Sequence, residues 1–370
     1  MKLFQKLLVA PATLGLLAPL SATATEVTIN DFNPAEELAV TNSRVDGLEA
    51  RLNNFEAGGF SETTTASFSV DAVIGSIDGD TTSEATTFEY QYNIGLSTSF
   101  TGEDSLDIAI DSGSDPVSNG LTGDALITKT DPFAFDTGAA LSVDGVTYSF
   151  PLGGISMVTG FDTDISASFT GACSYSAFSD FMGNCGTGGS LGVGGSGVTA
   201  TGSYAFDSGF SLAAGLSSTG DSAVGIMTEE GTDIYGINAA YSADSWGLAV
   251  AYVSNDGAAS DETTLWGING TYSFDLASIS AGFETSETSG TDSDGYFVGL
   301  TFPEVGPGSV SVGAGTTADF ASGDTETMIY EASYSYAVND GLTITPGVFI
   351  EEVDGGDDLT GVLVKSSFAF

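Results

Sequence analysis

Cys173 and Cys185 are the two cysteines of the chain, and they share one polar stretch with Asp162, Asp164 and Asp180. In a chain bound for an oxidising compartment two such cysteines favour a disulfide, with a pair of free thiols as the alternative. Asp180 lies between Phe178 and Phe181, so the stretch carries apolar anchors as well as acids. Other chemistry is sparse. There is no His, which removes imidazole acid–base catalysis, His metal ligands and any Ser-His-Asp triad. The acidic runs Asp78-Gly79-Asp80, Asp292-Ser293-Asp294-Gly295 and Asp354 to Asp358 offer oxygen ligands for Ca²⁺. None has EF-hand spacing, and solvated loop charge explains them better. The Gly-rich run Leu191 to Gly197 has no Lys-Ser/Thr after it, so it is no phosphate-binding loop. Neither an enzyme nor a bound cofactor or metal is expected.

The whole composition points away from soluble chemistry. The chain has 370 residues and a net charge of -44, from 6 Lys+Arg against 50 Asp+Glu. Its mean hydropathy of +0.17 is too high for a disordered acidic chain. High Gly, Ser and Thr together with 24 Phe and 13 Tyr suit strands and turns more than packed helices. Nucleic acid is excluded as a partner, since almost nothing could neutralise its phosphates.

Three segments follow one another. Residues 1–24 read as a secretory signal: Lys2 and Lys6, an apolar run from Leu7 to Leu20, then Ala22-Thr23-Ala24 as a cleavage site. Residues 25–59 form a polar leader and a short helix. In it Leu38, Thr41, Val45, Leu48, Leu52 and Phe55 follow a/d spacing, as a small coiled coil or an isolated helix would. From 60 to 370 the period switches to 2. About sixteen candidate strands start near 63, 86, 104, 143, 154, 197, 209, 233, 244, 263, 275, 294, 307, 327, 341 and 359.

The strand faces differ in charge. Phe68, Val70, Ala72 and Ile74 share one face; so do Phe88, Tyr90, Tyr92, Ile94, Leu96, Thr98 and Phe100, then Leu106, Ile108 and Ile110, then Met328, Tyr330, Ala332, Tyr334 and Tyr336, and last Leu342, Ile344, Pro346, Val348 and Ile350. None of these faces carries a charge, whereas Asp71, Glu89, Asp107 and Glu331 lie opposite them. Charge is costly against lipid and tolerated in a wet lumen. The connectors alternate short and long, the long ones including 112–142, 162–196, 285–293 and 351–358. Phe100, Phe150, Phe206, Phe210, Tyr241, Trp246, Phe274, Phe302, Tyr336 and Phe370 all lie beside short connectors or at the chain end, as a girdle at one membrane interface would. The last strand, LTGVLVKSSFAF, ends on an aromatic residue with no charged tail. The reading is an all-β transmembrane antiparallel barrel of about sixteen strands with a short N-terminal helix. It sits in outer-membrane lipid, and Phe370 is offered to the barrel-assembly machinery.

Several segments resemble the porins of cyanobacterial outer membranes, the iron-uptake group related to carbohydrate-selective OprB-type porins. They are RVDGLEARLNNFEAGGFSETTT (44–65), STSFTGEDSL (97–106), VTYSFPLGGISMVTG (146–160), GYFVGLTFPEVGPGSVSVGAG (295–315), YEASYSYAVNDGLTITPGVFIEE (330–352) and the closing strand. The resemblance implies a homotrimeric diffusion channel for small inorganic ions, iron among them, and small sugars. It also implies a departure, because Ala24 and Arg44 lie too close together to hold the S-layer-homology domain usual in the group.

In sixteen-stranded porins the third long loop often folds into the barrel. Here that loop is 162–196, so Asp162, Asp164 and Asp180 are expected near a constriction stiffened by Cys173–Cys185. Asp71, Glu89, Asp107, Glu331 and Glu351 are expected to line the wall, with Lys365 its lone cation. After Arg51 only Lys129 and Lys365 are cationic, so the lumen should favour cations. Leu363, facing inward, interrupts the polar lumen. Two other readings remain open: a structural or adhesive barrel with a plugged pore, and a secreted soluble β-protein.

Overall fold

In the computed structural model, strands dominate. The structure describes residues 64–79, 85–114, 140–191, 197–219, 226–228, 231–257, 262–316, 320–321 and 325–370. The signal segment, the helix expected over Leu38–Phe55, and Lys129 lie outside these. The chain divides into Met1–Ser61 and Glu62–Phe370, and the described residues all belong to the second unit.

The first half of the sheet runs β1 (Thr64–Asp78), β2 (Thr87–Thr98), β3 (Ser105–Gly113), β4 (Ser142–Leu152), β5 (Ile155–Phe161), β6 (Val198–Ala205), β7 (Phe210–Thr219) and β8 (Thr232–Ser242). The second half runs β9 (Trp246–Gly257), β10 (Thr263–Ser273), β11 (Ser278–Thr288), β12 (Thr291–Val305), β13 (Gly308–Thr316), β15 (Met328–Asn339), β16 (Leu342–Glu351) and β17 (Leu359–Ala369). Between β13 and β15 the two-residue β14 (Phe320–Ala321) pairs with β12 at the loop end, while β13 and β15 pair directly. Sixteen strands therefore form the wall, each antiparallel to its neighbours. Every expected strand start has an observed one beside it. The widest disagreements are 275 against Ser278 and 294 against Thr291.

Closure joins the ends of the wall. β1 and β17 pair from Ser69 opposite Ala369 to Asp78 opposite Thr360. Beyond the ladder the Phe68 N–H donates to the Phe370 carbonyl at 2.9 Å, and the Phe370 N–H donates back at 3.0 Å. Their rings stack with centroids 5.9 Å apart. A closed wall leaves no unpaired edge, the condition for strands to cross hydrocarbon. No helix among the described residues is long and apolar enough to do so.

Short connectors gather on one rim with both ends of the wall. One expectation is corrected at the other rim: 285–293 is not a long loop. β11 and β12 run on to meet at a two-residue turn in which Ser289 and Gly290 both have left-handed φ, 54° and 78°. Such a turn matches the twist of a hairpin, so the strands extend past the point where polarity rises.

Outward faces carry the exposed apolar side chains. Rings meet along the short-connector rim: Phe100 on Tyr148, Tyr148 on Phe150, Tyr204 on Phe206, Phe206 on Phe210, Tyr241 on Trp246 and Tyr272 on Phe274. A second aromatic band lies near the long-loop rim, where Phe88, Tyr90, Phe161, Tyr235, Trp266, Tyr296 and Tyr330 are exposed. The sequence reading identified only the first band. Two bands flanking an apolar belt are what two membrane interfaces require.

The turn from β2 to β3 is held by one carboxylate. Asp104 Oδ1 accepts from the Ser99 hydroxyl at 2.9 Å, the Phe100 N–H at 2.9 Å, the Thr101 N–H at 2.7 Å and the Thr101 hydroxyl at 2.8 Å. Oδ2 accepts from the Tyr148 hydroxyl at 2.7 Å. The Tyr148 hydrogen bond first, and then those at Thr101 and Ser99, hold this carboxyl well below the usual carboxylate range. A group depressed in the folded state contributes stability that is complete above its unfolded value and fades as pH falls through the folded one. Asp104→Asn should therefore lower the thermal transition in detergent by an amount constant above about pH 5 and shrinking below about pH 4. Circular dichroism melts across that range check it.

Candidate functional site

The site begins with the backbone of the loop after β5. Asp162 ends the strand with left-handed φ, 56°. Asp164 Oδ1 then accepts the Ser166 N–H at 2.6 Å, capping the short turn Ile165–Ser168. Ile165 is buried against Ile234 and Val253 on the inner wall, with Phe169 and Leu265 around it. From there the chain crosses the inside of the barrel.

The crossing has a regular stitch. The Thr170 N–H donates to Asn238 Oδ1 of β8 at 2.8 Å, and the Ala172 N–H to Asn269 Oδ1 of β10 at 2.8 Å. The Ser174 N–H donates to the Ser280 hydroxyl of β11 at 3.2 Å, and the Ser176 N–H to the Thr301 hydroxyl of β12 at 3.2 Å. Last, the Phe178 N–H donates to Glu331 Oε1 of β15 at 2.9 Å. Alternate residues thus meet successive parts of the wall, as an extended segment lying across strands must. From β8 through β9, β10, β11, β12 and β13 to β15 is six steps, roughly 29 Å at about 4.8 Å each. The eight residue-to-residue steps from Thr170 to Phe178 reach about 26 Å when extended. Inside a curved wall the path is shorter, and the lengths agree.

Return contacts fix the stitch. The Asn238 amide donates to the Thr170 carbonyl at 3.2 Å. That of Asn269 donates to the Asn184 carbonyl and the Thr187 hydroxyl, both at 3.1 Å. Farther along, the Gly189 and Ser190 N–H groups donate to the Glu284 carboxylate at 3.1 and 2.6 Å. Glycines on the inner wall make room: a Cβ at Gly282 would lie 2.1 Å from the Cys185 carbonyl oxygen, and one at Gly347 would lie 2.5 Å from the Phe178 ring.

The loop tip is held by apolar contact. Cys173 and Cys185 are bonded, with Cα atoms 5.7 Å apart. Phe178, Met182 and Cys185 pack with Val73 and Ile77 of β1, Phe297 of β12, Ile329 of β15, Phe349 of β16, and Leu359 and Leu363 of β17. Leu363 therefore interrupts the polar lumen because the tip docks on it. The Tyr175 ring lies 5.0 Å from that of Phe297.

The expected site residues separate into groups. Asp71, Glu89, Asp107, Glu331, Glu351 and Lys365 occupy one face of the sheet, since cross-strand partners share a face and that face carries Leu363 and Val73. Glu89 is fully enclosed and Glu351 nearly so. Glu331 is 4% exposed and engaged by the loop. Asp71 and Lys365 keep about a third of their side-chain surface open and lie 3.9 Å apart, with the Ser367 hydroxyl donating to Asp71. Asp107 is partly open and accepts from the Ser105 hydroxyl at 2.9 Å. Asp111, farther along the same face, is buried and accepts from the Ser142 hydroxyl at 3.0 Å. Asp162 and Asp164 stand at the root of the loop rather than its tip, because one ends a strand and the other caps a turn. Asp180 belongs to the tip, in the turn Asp180–Gly186, and its side chain is outside what is described. Among the described residues Lys365 is the one Lys or Arg.

Sequence reasoning missed Asn238, Asn269, Ser280, Glu284 and Thr301. A signal was present: asparagine is uncommon in strand interiors, and these two sit at inward positions, each between an isoleucine and a small residue (Ile237 and Ala239, Ile268 and Gly270). Removing one should be costly, because the Ala172 N–H loses its acceptor where water is scarce. Asn269→Ala should lower stability by about 1–3 kcal/mol, read from the urea midpoint in detergent micelles.

Comparison with known proteins adds to this geometry. A family model described as Gram-negative porin matches residues 136–357. An uncharacterized protein of Nostoc sp. is 32% identical over 163 residues, 40% of this chain and 27% of that protein. The chain thus matches well under half the length of that relative. Among solved structures, OprB of Pseudomonas putida superposes with TM-score 0.65 at 14% identity, over 83% of this chain and 94% of that one. A loop-deletion form of the Vibrio cholerae outer-membrane protein OmpT gives 0.57 at 10% identity, over 84% and 100%. Both likenesses are of fold.

Proposed function

The chain belongs to the Gram-negative porin family, and we propose that it is an outer-membrane diffusion channel that passes small cations in preference to anions. The observation that carries this is the distribution of charge on the inner face. The loop crosses β8 to β15 and its tip docks on β1, β16 and β17; at the crossing the described inward residues are neutral except for Glu284 and Glu331, both engaged by loop N–H groups. Beyond it Asp71 of β1 and Asp107 of β3 keep open surface on the inner face, against a single cation, Lys365 of β17, already paired with Asp71. A low-dielectric wall bearing one sign of charge raises the local concentration of counter-ions.

Solutes follow from size and charge. Small inorganic cations, iron among them, are the favoured class, and small neutral sugars would be accepted on size alone. The resemblance to cyanobacterial iron-uptake porins supports that assignment, and the same resemblance supports a homotrimer. The short-connector rim is then periplasmic. Phe370 would be read there by the assembly machinery before it closes on Phe68.

The test is the reversal potential of the purified channel in a planar bilayer across a KCl gradient at low salt. Current should reverse on the side that marks potassium as the faster ion, and Lys365→Glu should shift it farther that way. A reversal marking chloride as faster overturns the charge reading. A folded barrel that conducts nothing would favour a plugged structural protein.

A further inference from the structure

We propose that Glu331 is a positioning residue that sets the width of the pore by holding the loop tip, and that its charge takes no direct part in choosing ions. The inference rests on the reading of the barrel as an open channel. Both carboxylate oxygens are occupied by the loop. Oε1 accepts from the Phe178 N–H and the Tyr175 hydroxyl, each at 2.9 Å. Oε2 accepts from the Ser179 N–H at 2.9 Å and the Ser179 hydroxyl at 2.6 Å. Four donors converge on one carboxylate that is almost wholly buried. Its charge is satisfied at short range by hydrogen bonds aimed at it, the strong form of such bonds. An ion in the lumen meets the loop backbone before it meets this group.

The position of Glu331 makes it the last stitch of the crossing. Asn238, Asn269, Ser280 and Thr301 fix the segment between Thr170 and Ser176. Only after Ser179 does the chain enter the tip, Asp180–Gly186. Phe178 and Met182 dock there on an apolar patch, a contact that holds the tip inward without fixing its register along the wall. Direction comes from the carboxylate, which demands two adjacent backbone N–H groups and two hydroxyls at once. The cross-strand neighbours Gly313 and Phe349 leave the carboxylate facing the loop.

An amide cannot replace it. Glutamine offers one acceptor oxygen and one NH₂ group, while a backbone N–H points at each side of the native carboxylate. The Tyr175 and Ser179 hydroxyls can turn to accept, but a backbone N–H cannot. Whichever way the amide is placed, one loop N–H faces another donor, at a cost typical of a buried unsatisfied group. The tip should then detach from this point while Asn238 and Asn269 still hold the root.

The experiment uses the full chain in planar bilayers at 1 M KCl. At that salt the screening length is about 3 Å, so a lost charge matters little, and Glu331→Gln should raise single-channel conductance roughly 1.5- to 2-fold with added sub-levels. Heat-shifted electrophoretic migration reports that the barrel still folds. A folded Glu331→Gln channel with native high-salt conductance overturns the proposal, including the case in which only low-salt ion preference falls. If that variant does not fold, Tyr175→Phe combined with Ser179→Ala removes the two hydroxyl donors and keeps both backbone ones. A rise in its conductance supports the proposal, and a native value overturns it. Failure of the native protein to conduct would instead remove the channel reading itself.

Discussion

A backbone segment taken off a sheet and laid inside a barrel carries an N–H and a carbonyl on every residue, and each must find a partner or remain in water. That requirement governs the arrangement between Thr170 and Phe178. The segment faces side chains, not a strand edge, because the wall has already satisfied its own backbone groups. Acceptors must therefore be built into the inward positions of successive strands. Asn238, Asn269, Ser280, Thr301 and Glu331 are those acceptors. Placement of the loop, the depth of its tip and the side of the lumen left open all follow from their register.

Closure is what makes that register meaningful. A one-residue slip between β1 and β17 would exchange every inward and outward side chain of a strand. Either Asp71 or Lys365, whichever lies on the strand that slips, would then meet lipid. The reciprocal hydrogen bonds between Phe68 and Phe370, beyond the last rung, pin the join. Because Leu363 and Val73 flank it on the inner face and receive the loop tip, the join and the loop support one another. The apolar patch inside the barrel is thus a docking surface for Phe178 and Met182, and the acidic residues keep the remainder of the lumen.

Much of the fold was legible in the sequence. Alternation of period 2 located all sixteen wall strands, since an apolar outward face is obligatory in lipid. Connector length placed the rims, except at Ser289-Gly290, where two left-handed residues close a hairpin inside a polar run. The site was legible only in outline. Charge on the inward face marked Asp71, Asp107 and Lys365, but composition could not separate an acid that meets water from one that binds a loop. Glu331 and Asp107 look alike along the chain, and only the third dimension shows that one faces Phe178 and Ser179. Asp164 belongs to the same class: a short acid before Ser166 caps a turn. Asn238 and Asn269 went unread because a polar residue facing a wet lumen needs no explanation until a loop lies against it.

The central claim is that the loop from Thr170 to Phe178 is stitched to the wall through alternate amides. Amide hydrogen exchange resolved by residue, on the folded protein in detergent, measures this directly. The account predicts slow exchange at Thr170, Ala172, Ser174, Ser176 and Phe178, whose N–H groups have wall acceptors. Faster exchange is expected at Gly171, Cys173, Tyr175 and Ala177, whose N–H groups point the other way along an extended segment. Uniformly fast exchange from 170 to 178, in a barrel whose strand amides remain protected, would contradict it.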